Sequence, residues 1–320
     1  MILPRIMILL LFQLLLIMYT FVKANLDNNN NNNIPKIIHQ TWKTFNIPIK
    51  LKQYQETLIN VHKNKGWEYR LWDDILLNNF VIQHCPSISK INYKIKIQFI
   101  DAARYCILYH IGGIFIDLDY QALRPLDSIL DIYNNDYDTI LTIEPPNHAK
   151  TFNVDFIASN AIMFSKKKSL FFKKLIDTLP LAQKYMLLPT STSSSSMEKT
   201  FNIHQKENIV MHTTGPLFLT HFTKLFLCNT DIDVNRIMYL SATCDYIDNN
   251  NDNNNMVHII MNPTYFSSKS LFTENGTLIE GARCEKLMME EANNIKKTNI
   301  NINDNTVIAM HHWCGTWWDK

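Results

Sequence analysis

An apolar strand that stops on two carboxylates leaves a chain few ways to fold, and Gly113-Ile114-Phe115-Ile116-Asp117-Leu118-Asp119 is such a strand. Its apolar part has to be buried, yet a charge at the end of a core strand costs several kcal/mol unless something pairs with it. Side chains alternate along a strand, so Ile114, Ile116 and Leu118 are expected on one side and Phe115, Asp117 and Asp119 on the other. Both carboxylates would then meet at the carboxyl end of the strand, which is where open α/β sheets bind ligands.

The sequence before it supports that class of fold. Between Lys94 and His110, Ile97, Ile100, Ala103 and Ile107 recur at helical spacing, and Gly112-Gly113 ends the helix. Further upstream, "IPKIIHQTWKT" predicts a strand from Lys36 to Gln40. "WEYRLWDD" predicts another from Glu68 to Trp72, with Asp73 placed to start the next helix. Strand and helix in alternation point to an α/β domain with a mixed, partly parallel central sheet.

Two crowded carboxylates repel each other, and a divalent cation is the simplest compensation; oxygen ligands suit Mg²⁺ or Mn²⁺. A cation held by so few protein groups keeps positions open, which substrate phosphates fill, so the pair predicts a metal-bridged diphosphate. Asp-x-Asp occurs three times, and the tripeptide alone is background. Asp136/Asp138 and Asp231/Asp233 sit in polar stretches that read as solvated turns; Asp117/Asp119 stands out by ending an apolar strand. On the helix before it, Asp101 and Arg104 stand at i, i+3, on the side away from the isoleucines. Spacing allows two readings, a surface salt bridge or a carboxylate and guanidinium held at a bound ligand. The last eleven residues, "MHHWCGTWWDK", add three tryptophans and two histidines. His311 or His312 could complete a cation's shell or simply pack, and tryptophan faces suit sugar rings.

The N-terminus bears on location. Ile6 to Val22 form a 17-residue apolar run between Arg5 and Lys23, which reads as a signal segment or a single-pass anchor. The expected division is an anchor or signal over residues 1–23, an Asn-rich tether over 24–33 and a catalytic domain over 34–320. In either reading the body lies in the lumen of the secretory pathway or outside the cell, with the membrane as a partner through the N-terminal segment. Six cysteines suit an oxidising compartment but are too sparse for a disulfide scaffold, and no CxxC pair suggests zinc. Cys106, inside the helical pattern, is expected to be a core thiol. A net charge of +2, with 19% charged residues and no basic run, excludes a nucleic-acid surface. Asn275-Gly276-Thr277 is a sequon, and Ser191–Ser196 and Asp248–Asn255 read as loop expansions.

Six blocks in order, "IPKIIHQTWKT", "WEYRLWDD", "DAARYCILYHIGGIFIDLDYQALRPLD", "SNAIMFSKKKSLFF", "TTGPLFLT" and "HHWCGTWW", resemble the DXD-containing glycosyltransferases that include outer-chain α-1,6-mannosyltransferases and inositol phosphoceramide mannosyltransferases. The resemblance implies a GT-A fold, a nucleotide-sugar donor (GDP-mannose or a UDP-sugar), Mn²⁺ or Mg²⁺, and retention at the anomeric carbon. The acceptor it implies is a glycolipid or a glycoprotein glycan. By the same resemblance Asp117 and Asp119 match the metal and diphosphate pair, with His311 or His312 in the tail that closes over it. Asp101 and Arg104 match donor-sugar contacts, Trp42 the region of the nucleotide base, and Gly113 the turn before the donor pair. Asn160 falls in the sugar-pocket block, and Gly215 with Pro216 at its rim. A silent sugar-binding protein of the same fold and a metal-dependent phosphohydrolase are the rival readings.

Overall fold

The computed structural model describes residues 33–133, 136–186, 203–228, 257–260, 266–268 and 307–312. The N-terminal apolar run, the Ser and Asn expansions, Asp231/Asp233, the sequon and the terminal tryptophans lie outside the described residues. Among the described residues no helix is long and apolar enough to cross a membrane.

The first strand, β1 (Ile37–Thr41), begins one residue later than the sequence pattern suggests, while β2 (Glu68–Trp72) has the expected bounds. Helix α1 (Ile49–His62) connects them, and the two strands pair in parallel. Asp73 caps α2 (Asp74–His84) by accepting a hydrogen bond from the Leu76 amide at 2.8 Å, as expected for an Asp before a helix. A short α3 (Pro86–Ser89) leads to α4 (Lys96–His110). Gly112 and Gly113, at φ +76° and +95°, then turn the chain into β3 (Gly113–Ile116). At Gly113 a Cβ would lie 2.5 Å from the Ile37 carbonyl oxygen, so only glycine lets β3 come this close to β1.

After β4 (Tyr120–Ala122) and α5 (Asp127–Tyr133) come β5 (Thr139–Ile143), α6 (Pro146–Thr151), β6 (Ala158–Ser165) and α7 (Leu170–Met186). Helices α8 (Ile203–Thr213) and α9 (Pro216–Leu227) follow, then β7 (Val257–Ile260), β8 (Phe266–Ser268) and β9 (Ala309–His311). The main sheet has six strands in the order β2-β1-β3-β6-β5-β7, in which only β6 runs antiparallel to its neighbours. The fold is therefore α/β with a mixed central sheet. A second sheet, β4-β9-β8, lies beyond the turn that follows β3.

Alternation along the strands divides the core. Phe115, Leu141 and Met163 pack with α2, α4, α7 and α9; Ile114, Ile116, Ile140, Ile162 and Phe164 pack on the other face, with α1 and α5. Helix α4 departs from the sequence expectation. It is buried on nearly every side, between the sheet and α7, so the face carrying Asp101 and Arg104 is not a surface. Cys106 is likewise not a core thiol: it is disulfide-bonded to Cys85, the residue after α2. Buried contact between the end of α2 and the middle of α4 brings the two sulfurs together, a proximity that sequence spacing does not encode.

Candidate active site

The strand expected to carry both aspartates ends at Ile116. The Asp117 amide still bonds the Ala161 carbonyl at 2.8 Å, but the chain then turns, with the Tyr120 amide on the Asp117 carbonyl at 3.3 Å. Asp119 is thus placed by this turn and by β9, not by strand alternation. The His312 amide donates to the Asp119 carbonyl at 3.0 Å, and His311 Nε2 lies 3.1 Å from Asp119 Oδ1. His311 faces Tyr120 across the β4–β9 pair, with their rings stacked at 4.3 Å and 6°. A cross-strand aromatic pair of this kind holds the imidazole in one orientation.

Arg104 is the hub of the interior. Its Nη1 donates to the Asn160 carbonyl at 2.7 Å and lies 3.4 Å from Asp117 Oδ1, while Nη2 is 3.2 Å from Asp101 Oδ1. The guanidinium carbon sits 4.6 Å from the centre of the Phe115 ring. Asp101 accepts also from Asn160 Nδ2 and Thr214 Oγ1, both at 3.1 Å. The Asp101–Arg104 pair is only 4–5% exposed on either side, which excludes the surface salt bridge. Burial works against the charge of Arg104, but Asp117 and Asp101 outweigh it and hold the guanidinium protonated. Burial pushes the Asp101 carboxyl upward against the pull of Arg104, Thr214 and Asn160.

Asp117, Asp119 and His311 each offer a ligand atom within 4.8 Å of the others. With burial the main cause, opposed by Arg104 and reinforced by Asp119, the Asp117 carboxyl is pushed up to about 6. Two carboxylates and an imidazole with ligand atoms this close together form a donor set that fits a divalent cation.

Other residues read from the sequence fall at varied distances from this cluster. Trp42, half-buried, packs in one small group with Leu118, the residue between the two aspartates. Gly215 precedes α9 and bonds the Val210 carbonyl through its amide at 2.8 Å; its link to the site runs through Thr214. Gly113 opens β3, at the opposite end from Asp117, and its closeness to β1 accounts for it without a ligand. His312 points elsewhere, stacking on Tyr54 at 4.3 Å and meeting Gln121 Oε1 at 3.2 Å, so of the two tail histidines only His311 joins the aspartates. Asp136/Asp138 stays apart, with Asp138 paired to Lys166.

The sequence pattern does not single out Thr214, Tyr120 or Gln40. Gln40 donates through Nε2 to the Asp117 carbonyl at 3.1 Å and accepts at Oε1 from Tyr69 OH at 2.8 Å, which in turn accepts from Gln55 Nε2 at 2.7 Å. This relay ties α1, β2 and β1 to the backbone of Asp117. A polar residue interrupting the apolar β1 was the available signal, since a buried amide needs partners.

Residues 48–136, which hold α4, Arg104 and both aspartates, match the family model described as "Glycosyltransferase sugar-binding region containing DXD motif". Over that stretch the chain is similar to this family. It is 33% identical over 195 residues to the mannosyl phosphorylinositol ceramide synthase SUR1 of Saccharomyces cerevisiae, covering 60% of this chain and 42% of that protein. It is 32% identical over 195 residues to inositol phosphoceramide mannosyltransferase 3 of Schizosaccharomyces pombe, covering 60% and 46%. The chain thus spans less than half the length of either relative. The solved PaToxG glycosyltransferase is a looser likeness, with a TM-score of 0.38 and 15% identity over 70% of this chain and 83% of that one.

Proposed function

We propose that this chain is a metal-dependent, retaining glycosyltransferase of GT-A type that moves a hexose, mannose from GDP-mannose in the first instance, to a glycolipid acceptor. The observation that carries the reading is the join between two groups. The ligand atoms of Asp117, Asp119 and His311 lie within 4.8 Å of one another, close enough to hold a cation, and Arg104 links this cluster to Asp101 and Asn160 at the carboxyl end of the sheet. The mannosyltransferase names of the relatives favour the sugar, and the ceramide in those names favours a lipid-linked acceptor over a glycoprotein glycan.

Each residue has a role in this proposal. Asp117, Asp119 and His311 would hold Mn²⁺ or Mg²⁺, which would supply Lewis-acid neutralisation of the donor diphosphate. Arg104, kept charged and aligned by Asp101, adds fixed positive charge where the nucleotide diphosphate departs. Asn160 and Thr214 lock Asp101 from two sides, so the guanidinium does not have to reorganise as charge develops. Trp42 offers a face for the nucleotide base, next to Leu118. The acceptor hydroxyl attacks from the side the diphosphate leaves. Residues 34–320 form the catalytic domain, and residues 1–23 set it in the secretory lumen as an anchor, or release it there as a signal.

Nucleotide release from a panel of nucleotide sugars, with Mn²⁺ and with EDTA, tests the reading in the presence and absence of a glycolipid acceptor. Metal-dependent release from one donor, lost in Asp117→Asn/Asp119→Asn, is expected. Absence of both release and calorimetric donor binding in folded protein would sink it.

A further inference from the structure

The loops at the carboxyl ends of β1 and β2 carry exposed apolar side chains that the site does not use. Phe45 is 61% and Ile49 78% exposed; on the facing helix α2, Ile75, Leu76 and Ile82 are 71%, 45% and 54% exposed. The two segments are one surface, because the Asp74 amide bonds the Lys43 carbonyl at 3.3 Å and the Trp42 amide bonds the Trp72 carbonyl at 3.0 Å. It borders the site directly, since Trp42 and the buried Ile47 and Leu51 pack on Leu118. Large apolar side chains gathered on one exposed face mark a surface that meets an apolar partner.

The charges around it say which partner. From Thr41 to Gln55 the chain has three lysines, Lys43, Lys50 and Lys52, all exposed, and no acid. The acids on neighbouring elements are engaged or set back: Asp73 caps α2, Asp74 pairs with Lys96, and Glu56 lies a turn further along α1. The outward face of α2 continues with the uncharged Asn78, Asn79 and Gln83. Exposed apolar residues beside lysines are the chemistry of a segment lying in the headgroup region of an anionic bilayer.

We propose that the 43–52 segment and the start of α2 form a membrane-docking surface that sets the mouth of the site against an anionic lipid leaflet. This contact is separate from any N-terminal anchor and deepens the lipid-acceptor reading, on which its purpose but not its binding rests. A lipid-linked acceptor then reaches Asp117 and Asp119 without leaving the bilayer.

Hydrogen exchange of the full chain tests this in nanodiscs of phosphatidylcholine alone and of phosphatidylcholine mixed with phosphatidylserine, with detergent micelles as reference. Amides of residues 43–47 are expected to exchange at least tenfold more slowly in the mixed discs than in micelles. Lys43→Glu/Lys50→Glu/Lys52→Glu should remove the dependence on phosphatidylserine, and Phe45→Ser/Ile49→Ser the protection itself. Peptides around Ile132 and Leu181, exposed apolar residues elsewhere, should not change. Equal exchange in all three media overturns the proposal, as does protection that follows protein concentration in micelles, which would mean a second copy covers the face. Neither readout uses turnover, so loss of protection and loss of transferase activity are told apart.

Discussion

Removing the Asp101 carboxylate probes how the interior of the site is held. In Asp101→Ala, Arg104 keeps Asp117 and the Asn160 carbonyl but loses its closest carboxylate partner, and Asn160 Nδ2 and Thr214 Oγ1 each lose the acceptor they meet at 3.1 Å. Breaking a buried ion pair from one side costs about 3–5 kcal/mol, mostly because the remaining charge stays buried. Each orphaned donor adds about 1–3 kcal/mol when it finds no other partner, but the terms share atoms and do not add in full. A net loss of about 4 kcal/mol is therefore expected in urea unfolding, enough to remove a large part of a typical domain's stability. Thr214→Val closes a double-mutant cycle: alone it should cost about 1–2 kcal/mol, and in the Asp101→Ala background close to nothing. If Asp101→Ala cost less than about 1 kcal/mol, or if the two losses simply added, the carboxylate would not be the anchor of this network.

Three further outcomes follow from the structure. His311→Ala should weaken Mn²⁺ binding, read by calorimetry, by at least about tenfold, while His312→Ala, which removes a ring stacked on Tyr54, should leave it nearly unchanged. Burial lowers His39 to about 4, so the unfolded chain binds the extra proton between that value and 6.5. Stability should therefore fall by about 3 kcal/mol as pH drops through this window, and His39→Gln, compared by urea unfolding at both ends, should flatten that dependence. Cys85→Ser/Cys106→Ser opens a loop with a sequence separation of 21. The loop-entropy relation then gives a loss of about 3 kcal/mol, visible as a lower midpoint in urea; an unchanged midpoint would show that packing alone fixes α2 on α4.

Local sequence determined much of the frame. The parallel strands around β1, the Asp73 cap, the glycine turn into β3 and the apolar run that ends at Asp117 all follow from propensity, capping and alternation, which act over a few residues. These same rules put Asp101, Arg104 and Asp117 in one neighbourhood. They could not decide whether the Asp101–Arg104 pair was wet or dry. Only the packing of α4 between the sheet and α7 decided that, by covering the helix on the side that spacing left open. The disulfide of Cys106, the approach of the His311 ring to Asp119 and the placing of Asp119 were decided in the same way. Each depends on partners tens to hundreds of residues away, Cys85 just after a neighbouring helix or β9 beside β4. A sequence specifies such contacts only through the whole fold, because the energy that selects them is that of burial and pairing, which no local pattern contains.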